Sequence, residues 1–406
     1  MKKSSAFTLA AMAAISAASA QSLYYVGDEA QESIPLKWSV GMTAIYDSNM
    51  TPGTQSGQPG FEDDAWSLNP YAAATFTSIT PQTTIDLYAR AGVNYYLTSS
   101  EIDGADDTTF NGRLGFDLTH RFSERLRFSS RNFAAQEMEP EYAYGQSAQR
   151  GVDPYTLWSS DNSVGYRWTE RLGSYTGINL TGFLGDGVNS DRSSFSLYQQ
   201  MRYQLTPRTV ATAEYRYTAW TGDASDSTNH FITGGFEHRL SPTSIFVVSA
   251  GAQLREVDGG DSSTSPFFEA ALSSQINTRF SVRGFARYSI EDFDTVQQLG
   301  AFVFEYQDQR VLRIGLNGSY SLTPRLSGFG GVDLVSTGYG SGITVDGANE
   351  TDGESEDVIN AYIGLRAKIS DSLTTECSIN CTDSVSDFEG REYDRLRLSA
   401  GVSYSF

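Results

Sequence analysis

Nowhere in these 406 residues does an apolar run approach the ~20 that a membrane-crossing helix requires, so helical insertion is excluded. Cysteine and histidine are almost missing, with 2 and 3 copies, which leaves too few ligands for a thiolate or imidazole metal cluster. Proline is scarce at 11 copies, so long extended segments run without interruption. Positive charge is short as well: Lys and Arg number 29 against 49 Asp and Glu, a formal net charge of −20. That balance argues against nucleic acid, and against docking on an anionic surface.

The chain is instead rich in small and aromatic residues, with 38 Gly, 23 Tyr and 23 Phe. Hydrophobic residues make up only 39%, little for a soluble core of this size. Low hydropathy with abundant aromatics suits a transmembrane β-barrel, in which alternate side chains meet lipid and water. At the N-terminus, Lys2 and Lys3 precede an apolar stretch from Ala6 to Ile15, and Ala18 and Ala20 supply small residues for cleavage. Residues 1–20 are therefore expected to be a secretory signal peptide, with export through its cleavage. Residues 21–35 are expected to be a periplasmic segment and residues 36–406 the barrel.

One short element recurs eight times: an apolar residue, then Ser, Thr or Asn, then Pro or a polar residue, often followed by Arg. Ile79-Thr80-Pro81-Gln82, Phe122-Ser123-Glu124-Arg125, Trp168-Thr169-Glu170-Arg171 and Leu205-Thr206-Pro207-Arg208 are the first four. Leu240-Ser241-Pro242-Thr243, Ile276-Asn277-Thr278-Arg279, Leu322-Thr323-Pro324-Arg325 and Ile369-Ser370-Asp371-Ser372 complete the series. Pro presets φ, and the Ser or Thr hydroxyl bonds to backbone just ahead, so these are tight turns. Their spacing, roughly 35–47 residues, fits two strands and one longer loop per repeat.

On either side of each turn the chain alternates. Ile85, Leu87, Ala89, Ala91, Val93, Tyr95 and Leu97 share one face; Asp86, Arg90 and Asn94 share the other. Period two over ten or more residues is the length of a tilted membrane strand. Between strand pairs lie polar segments such as Ser99–Thr108, Gly185–Arg192, Thr221–Thr228 and Ser341–Asp357. Short turns alternating with long acidic loops predict an all-β, antiparallel, up-and-down barrel of about 18 strands (16–18), with turns periplasmic and loops outside. Val296–Gln309 is expected to be an infolded loop or an extra short hairpin, and Met138–Tyr155 is the candidate plug.

The last strand ends Val402-Ser403-Tyr404-Ser405-Phe406, with Leu396, Leu398, Ala400, Val402, Tyr404 and Phe406 on one face. This resembles the terminal signature of bacterial outer-membrane proteins, which implies recognition by the barrel-insertion machinery. Together with the Leu-Thr-Pro-Arg turns and the Tyr and Trp beside them, it resembles the β-barrel porin-2 family across the mature chain. The resemblance implies an outer-membrane porin. The constriction-loop motif of general porins is absent.

By the alternation phase, Arg90, Arg113, Arg127, Arg131, Arg167, Arg202, Arg216, Arg283, Arg287, Arg313, Arg366 and Arg397 point inward, with Lys368. Inward acids are expected to be fewer: Asp86, Asp117, Glu214, Glu237 and Glu376. Charge at mid-membrane on the lipid face costs ~2–4 kcal/mol, so the lumen is where it is tolerated. The reading is a passive pore for small hydrophilic solutes, without cofactor, metal or catalytic residue, embedded in outer-membrane lipid. The alternatives are a surface-display or adhesion barrel, or a polysaccharide-export barrel, with no open diffusion pore. A homotrimer would bury a flat apolar wall, which one sequence does not distinguish from a lipid-facing wall. Cys377 and Cys381, four apart on a strand, sit roughly 13 Å from each other, too far for a disulfide. His120 and His238 fall on apolar faces two residues before a turn, as interface girdle residues.

Overall fold

The computed structural model describes residues 33–50, 64–97, 108–137, 154–185, 191–222, 226–258, 262–291, 296–299, 302–306, 308–340, 342–344, 350–351, 353–388 and 392–406. The expected signal peptide and the plug Met138–Tyr155 up to residue 153 lie outside the described residues. So do Asp103, Asp106, Asp107 and Asp352 of the acidic loops.

Twenty-two strands follow one another, and no helix occurs among the described residues. They begin β1 Ile34–Asp47, β2 Ala65–Ile79, β3 Thr83–Tyr96, β4 Thr108–Arg121, β5 Leu126–Glu137 and β6 Tyr155–Arg167. Next come β7 Leu172–Gly185, β8 Arg192–Thr206, β9 Thr209–Gly222, β10 Ser227–Ser241, β11 Ser244–Val257, β12 Ser262–Gln275 and β13 Phe280–Glu291. After the short pair β14 Val296–Leu299 and β15 Phe302–Tyr306 come β16 Gln309–Ser321 and β17 Leu326–Tyr339. The chain closes with β18 Gly342–Thr344, β19 Glu350–Thr351, β20 Ser355–Lys368, β21 Leu373–Ser386 and β22 Tyr393–Ser405.

Eighteen of these form one antiparallel sheet that closes on itself where β1 pairs with β22. The closing register runs from Ser39↔Ser405 to Asp47↔Arg397. Phe406 donates its backbone N–H to the Trp38 carbonyl at 2.9 Å and accepts one back from Trp38 at 3.1 Å, so the last residue completes the seam. A closed sheet has no edge and leaves its ladder hydrogen bonds satisfied, which is what lipid demands.

All eight recurrent elements connect neighbouring barrel strands. In six of them the side chain of the second residue accepts the backbone N–H three residues on, and in the Thr206 and Ser241 turns it accepts the N–H two residues on, at 3.2 Å. Leu126 to Ser123, Leu172 to Thr169, Phe280 to Asn277, Leu326 to Thr323 and Leu373 to Ser370 all measure 3.0 Å. This bond replaces a ladder partner at the hairpin tip and ties the turn to its sequence.

Opposing residues in register share a face, so two faces can be read directly from the pairing. Trp38, Val40 and Met42 of β1, Leu114 of β4, Ile363 and Leu365 of β20, and Leu398 and Val402 of β22 are exposed outward. Asn69, Asn111, Asp161, Gln200, Glu214, Arg216 and Asn360 lie on the opposite face and are buried. Large inward side chains find room over glycines of the next strand. A Cβ on Gly177 would stand 2.3 Å from Tyr198 Cζ, and one on Gly41 would stand 2.5 Å from Tyr71 Cζ.

The remaining four short strands form a separate sheet. Of the two expectations for Val296–Gln309, the extra hairpin is the one seen: β14 pairs with β15, and β15 with β18. Beside it Tyr306, Tyr339 and Phe388 pack into a buried aromatic cluster at the strand ends. Burial pushes the Tyr306 phenol up to about 12, with nearby Glu354 adding to the shift.

Pairing between β12 and β13 stops at Phe268↔Tyr288. Above it, the Gln253 side chain of β11 accepts from the Ile290 N–H at 2.8 Å and donates to its carbonyl at 3.0 Å. One amide thus stands in for a missing ladder rung.

Candidate functional site

The polar inner wall is the candidate site, and its chemistry follows from register. Arg90 of β3 opposes Arg113 of β4. The Arg90 guanidinium lies 4.2 Å over the Tyr71 ring and donates to Asn69 Oδ1 at 3.2 Å; Arg113 pairs with Glu137. Arg131 sits between Asp117 on one neighbouring strand and Asp161 on the other. Arg127 opposes Arg121, and Arg167 is exposed beside the adjacent turn.

Across the barrel the arginines are paired and hidden. Arg216 and Glu214 meet at 2.8 Å with side chains 3% and 2% exposed, and Gln200 donates to the same carboxylate at 2.9 Å. Arg313 and Glu291 meet at 2.8 Å with side chains 2% and 5% exposed. Arg202 pairs with Glu237, and Arg366 with Glu376 at 2.6 Å. Arg287 lies opposite Arg313 on one side and Glu269 on the other; Arg283 opposes Asn317 and Ser273. Arg397 reaches Asp47 Oδ2 at 3.2 Å, sharing that carboxylate with Arg395, and Lys368 ends β20 opposite Thr374.

Inward acids remain fewer than inward bases, as expected, but they are more numerous than the five named. Besides Asp86, Asp117, Glu214, Glu237 and Glu376, the same face carries Asp47, Glu137, Asp161, Glu269 and Glu291. It also carries bases outside the expected set, among them Arg121, Arg192, Arg255 and Arg395. Several of these stand near the loop ends of their strands, where outward positions turn polar too and hydropathy stops marking the phase. Register alone assigns them. The signal was present as an i, i+2 step, as from Arg397 to Arg395 or from Glu214 to Arg216.

A cavity of about 350 Å³ opens on the inner face of β1–β4, β21 and β22. Its walls include Arg90, Arg113, Arg395 and Arg397 against two carboxylates, Asp47 and Glu137, with Asn69, Asn94, Asn111 and Asn380 between them. Such a surface offers fixed positive charge and many neutral donors and acceptors, beside apolar wall from Ile45, Met50, Ala65 and Tyr88. His120 and His238 lie elsewhere, on the outer face, each with Nδ1 on a threonine hydroxyl: Thr83 at 2.8 Å and Thr209 at 2.9 Å. Cys377 and Cys381 are free and exposed on the outer face of β21.

A closed sheet that is apolar outside and charged inside defines the class: a transmembrane β-barrel. No protein-family model matches the chain, and no curated protein does. Among solved structures it is similar to OccAB4 of Acinetobacter baumannii, at 11% identity and TM-score 0.45, covering 92% of this chain and 99% of that one. It is also similar to OpdK of Pseudomonas aeruginosa, solved with vanillate, at 14% identity and TM-score 0.46 over 91% and 99%. A third is the siderophore receptor PirA of Acinetobacter baumannii, at 7% identity and TM-score 0.42 over 92% and 80%.

Proposed function

We propose that this barrel is an outer-membrane porin of the kind the β-barrel porin-2 resemblance implies, passing small hydrophilic solutes by passive diffusion. The single observation that carries the reading is the closed 18-stranded sheet with a charged inner face. At ~4.8 Å between strands and ~40° tilt, such a barrel is about 35 Å across its backbone. Side chains alone do not fill that width, and an aqueous path is the expected result.

The arginines divide into two roles under this reading. Arg216 and Arg313 are buried in ion pairs and hold the wall. Arg90, Arg113, Arg131 and Arg397, on β3–β5 and β22, are more accessible and face the path, and at the cavity the four guanidiniums of Arg90, Arg113, Arg395 and Arg397 around two carboxylates favour anions and polyhydroxylated solutes. Export by residues 1–20 and insertion through the strand ending at Phe406 belong to the same proposal. So does the absence of a catalytic group or resident cofactor.

Single-channel conductance of the purified barrel in a planar bilayer under a salt gradient tests it. The expected result is steady steps with an anion-favouring reversal potential, moved toward cations by Arg90→Glu with Arg397→Glu. No steps from demonstrably folded protein would end the diffusion reading and leave a display or export barrel.

A further inference from the structure

The outer wall is apolar at mid-strand position after mid-strand position, and β5 with β6 breaks the rule. Ser130 and Asn132 of β5 stand opposite Asn162 and Ser160 of β6. All four share the outward face with Phe128 and Val164, and all sit near the middle of strands spanning Leu126–Glu137 and Tyr155–Arg167. They close a ring. Ser130 Oγ donates to Asn162 Oδ1 at 2.7 Å, and Asn162 Nδ2 donates to Ser160 Oγ at 2.9 Å. Ser160 Oγ donates to Asn132 Oδ1 at 2.7 Å, and Asn132 Nδ2 returns to Ser130 Oγ at 2.9 Å. Two strands further on, the same face carries Thr176 bonded to Gln199, both exposed.

Acyl chains offer neither donor nor acceptor; Asn132 Nδ2 also donates to the Phe116 carbonyl at 3.3 Å, but the asparagine carbonyl oxygens keep acceptor capacity beyond the one bond each takes in the ring. Alanine, leucine or valine at these positions would suit lipid better, as the rest of the wall does. The depth excludes lipid headgroups and a soluble periplasmic protein, because neither reaches mid-membrane. What remains is another membrane-spanning protein wall.

We propose that this face docks a second copy of the same chain, ring against ring about a two-fold axis. A two-fold contact demands a patch complementary to itself. The ring meets that demand: it is uncharged, and every side chain in it both donates and accepts. Its size is adequate. Strands β5–β8 across the ~25 Å apolar band give roughly 600 Å² per partner, about 1,200 Å² in total, at the lower edge of stable interfaces. The ring points away from the lumen, so the contact stands or falls independently of conductance.

The test is disulfide trapping in membranes of the full-length protein with Cys377→Ala and Cys381→Ala. Ser160→Cys or Asn132→Cys is expected to give a covalent dimer on mild oxidation, whereas Ile363→Cys on the β20 wall gives none. Replacing the ring by Ser130→Ala, Asn132→Leu, Ser160→Ala and Asn162→Leu is expected to convert detergent-extracted dimer to monomer, with heat-modifiable mobility retained. A wild-type monomer would overturn the proposal. So would the absence of any link at Ser160 and Asn132, or a link only to another wall or another protein. Trapping remains decisive if the fourfold variant does not fold.

Discussion

Removing one carboxylate from the inner wall is expected to destabilise the whole barrel. Glu291 accepts three hydrogen bonds from Arg313, with Nε at 3.1 Å and 3.2 Å and the terminal nitrogen at 2.8 Å. The two side chains are 5% and 2% exposed, so neither charge has water to fall back on. Arg287 stands directly opposite Arg313 on the next strand, so loss of the Glu291 charge leaves those like charges less compensated. Glu291→Gln keeps the shape and removes the charge, leaving a buried guanidinium uncompensated. Breaking a buried pair from one side costs ~3–5 kcal/mol, a shift of at least about a hundredfold in the folded-to-unfolded ratio. Removing both charges, as Glu291→Leu with Arg313→Met, avoids the orphan and should recover most of the loss or exceed the parent. Urea unfolding of the barrel in detergent, followed by tryptophan fluorescence and by mobility of unheated samples, measures all three proteins. A loss below ~1 kcal/mol for Glu291→Gln would refute the reasoning, because that is how a hydrated surface pair behaves.

Two further outcomes follow from the faces and from the rim. Ile363 is 68% exposed at the middle of β20 on the outer face, so Ile363→Arg should cost ~2–4 kcal/mol in the same unfolding assay, whereas Ser378→Arg on the inner face beside the cavity should cost far less. Equal costs would mean that the faces are wrongly assigned. At the rim, the Tyr306 phenol is raised from 10 to about 12 by burial, so its contribution is complete below pH 10 and is lost as pH climbs through 12. Protease nicking near Tyr306 should therefore rise between pH 10 and 12 in the parent and stay flat in Tyr306→Phe. That variant folds normally, since the hydroxyl it removes is buried without a hydrogen-bond partner.

The barrel was legible because its two signals repeat. A turn such as Leu322-Thr323-Pro324-Arg325 carries its own hydrogen bond, from the Leu326 N–H to the Thr323 hydroxyl at 3.0 Å, and needs no tertiary contact to be recognised. Alternation along β3 marks both faces while one of them meets lipid, so the phase of Arg90 follows from Ala89 and Ala91. The same logic weakens at the loop ends, where Asp47, Glu137 and Glu291 sit: there the outward residues are polar as well, and only the pairing with a neighbouring strand fixes the side. Glu291 faces inward because it lies opposite Gln309, at the end of the register that sets Arg287 against Arg313.

The acids, the expected and the missed together, change what the arginines mean. Counted alone, inward arginines suggest a uniformly positive lumen. Counted with Glu214, Glu291, Glu237, Glu376 and Asp47, many of them are members of ion pairs, and their charge is spent locally. A pair with both members a few per cent exposed contributes little field to a passing solute, whereas an accessible arginine beside neutral amides contributes nearly all of its own. Under the proposed porin reading, selectivity would then depend on the few sites where bases outnumber acids at an accessible surface. The cavity lined by Arg90, Arg113, Arg395 and Arg397 is such a site, with two carboxylates for four guanidiniums. Neutralising Arg216 or Arg313 would then act on stability and leave reversal potential in place, while neutralising Arg90 would act on reversal potential and leave stability nearly unchanged.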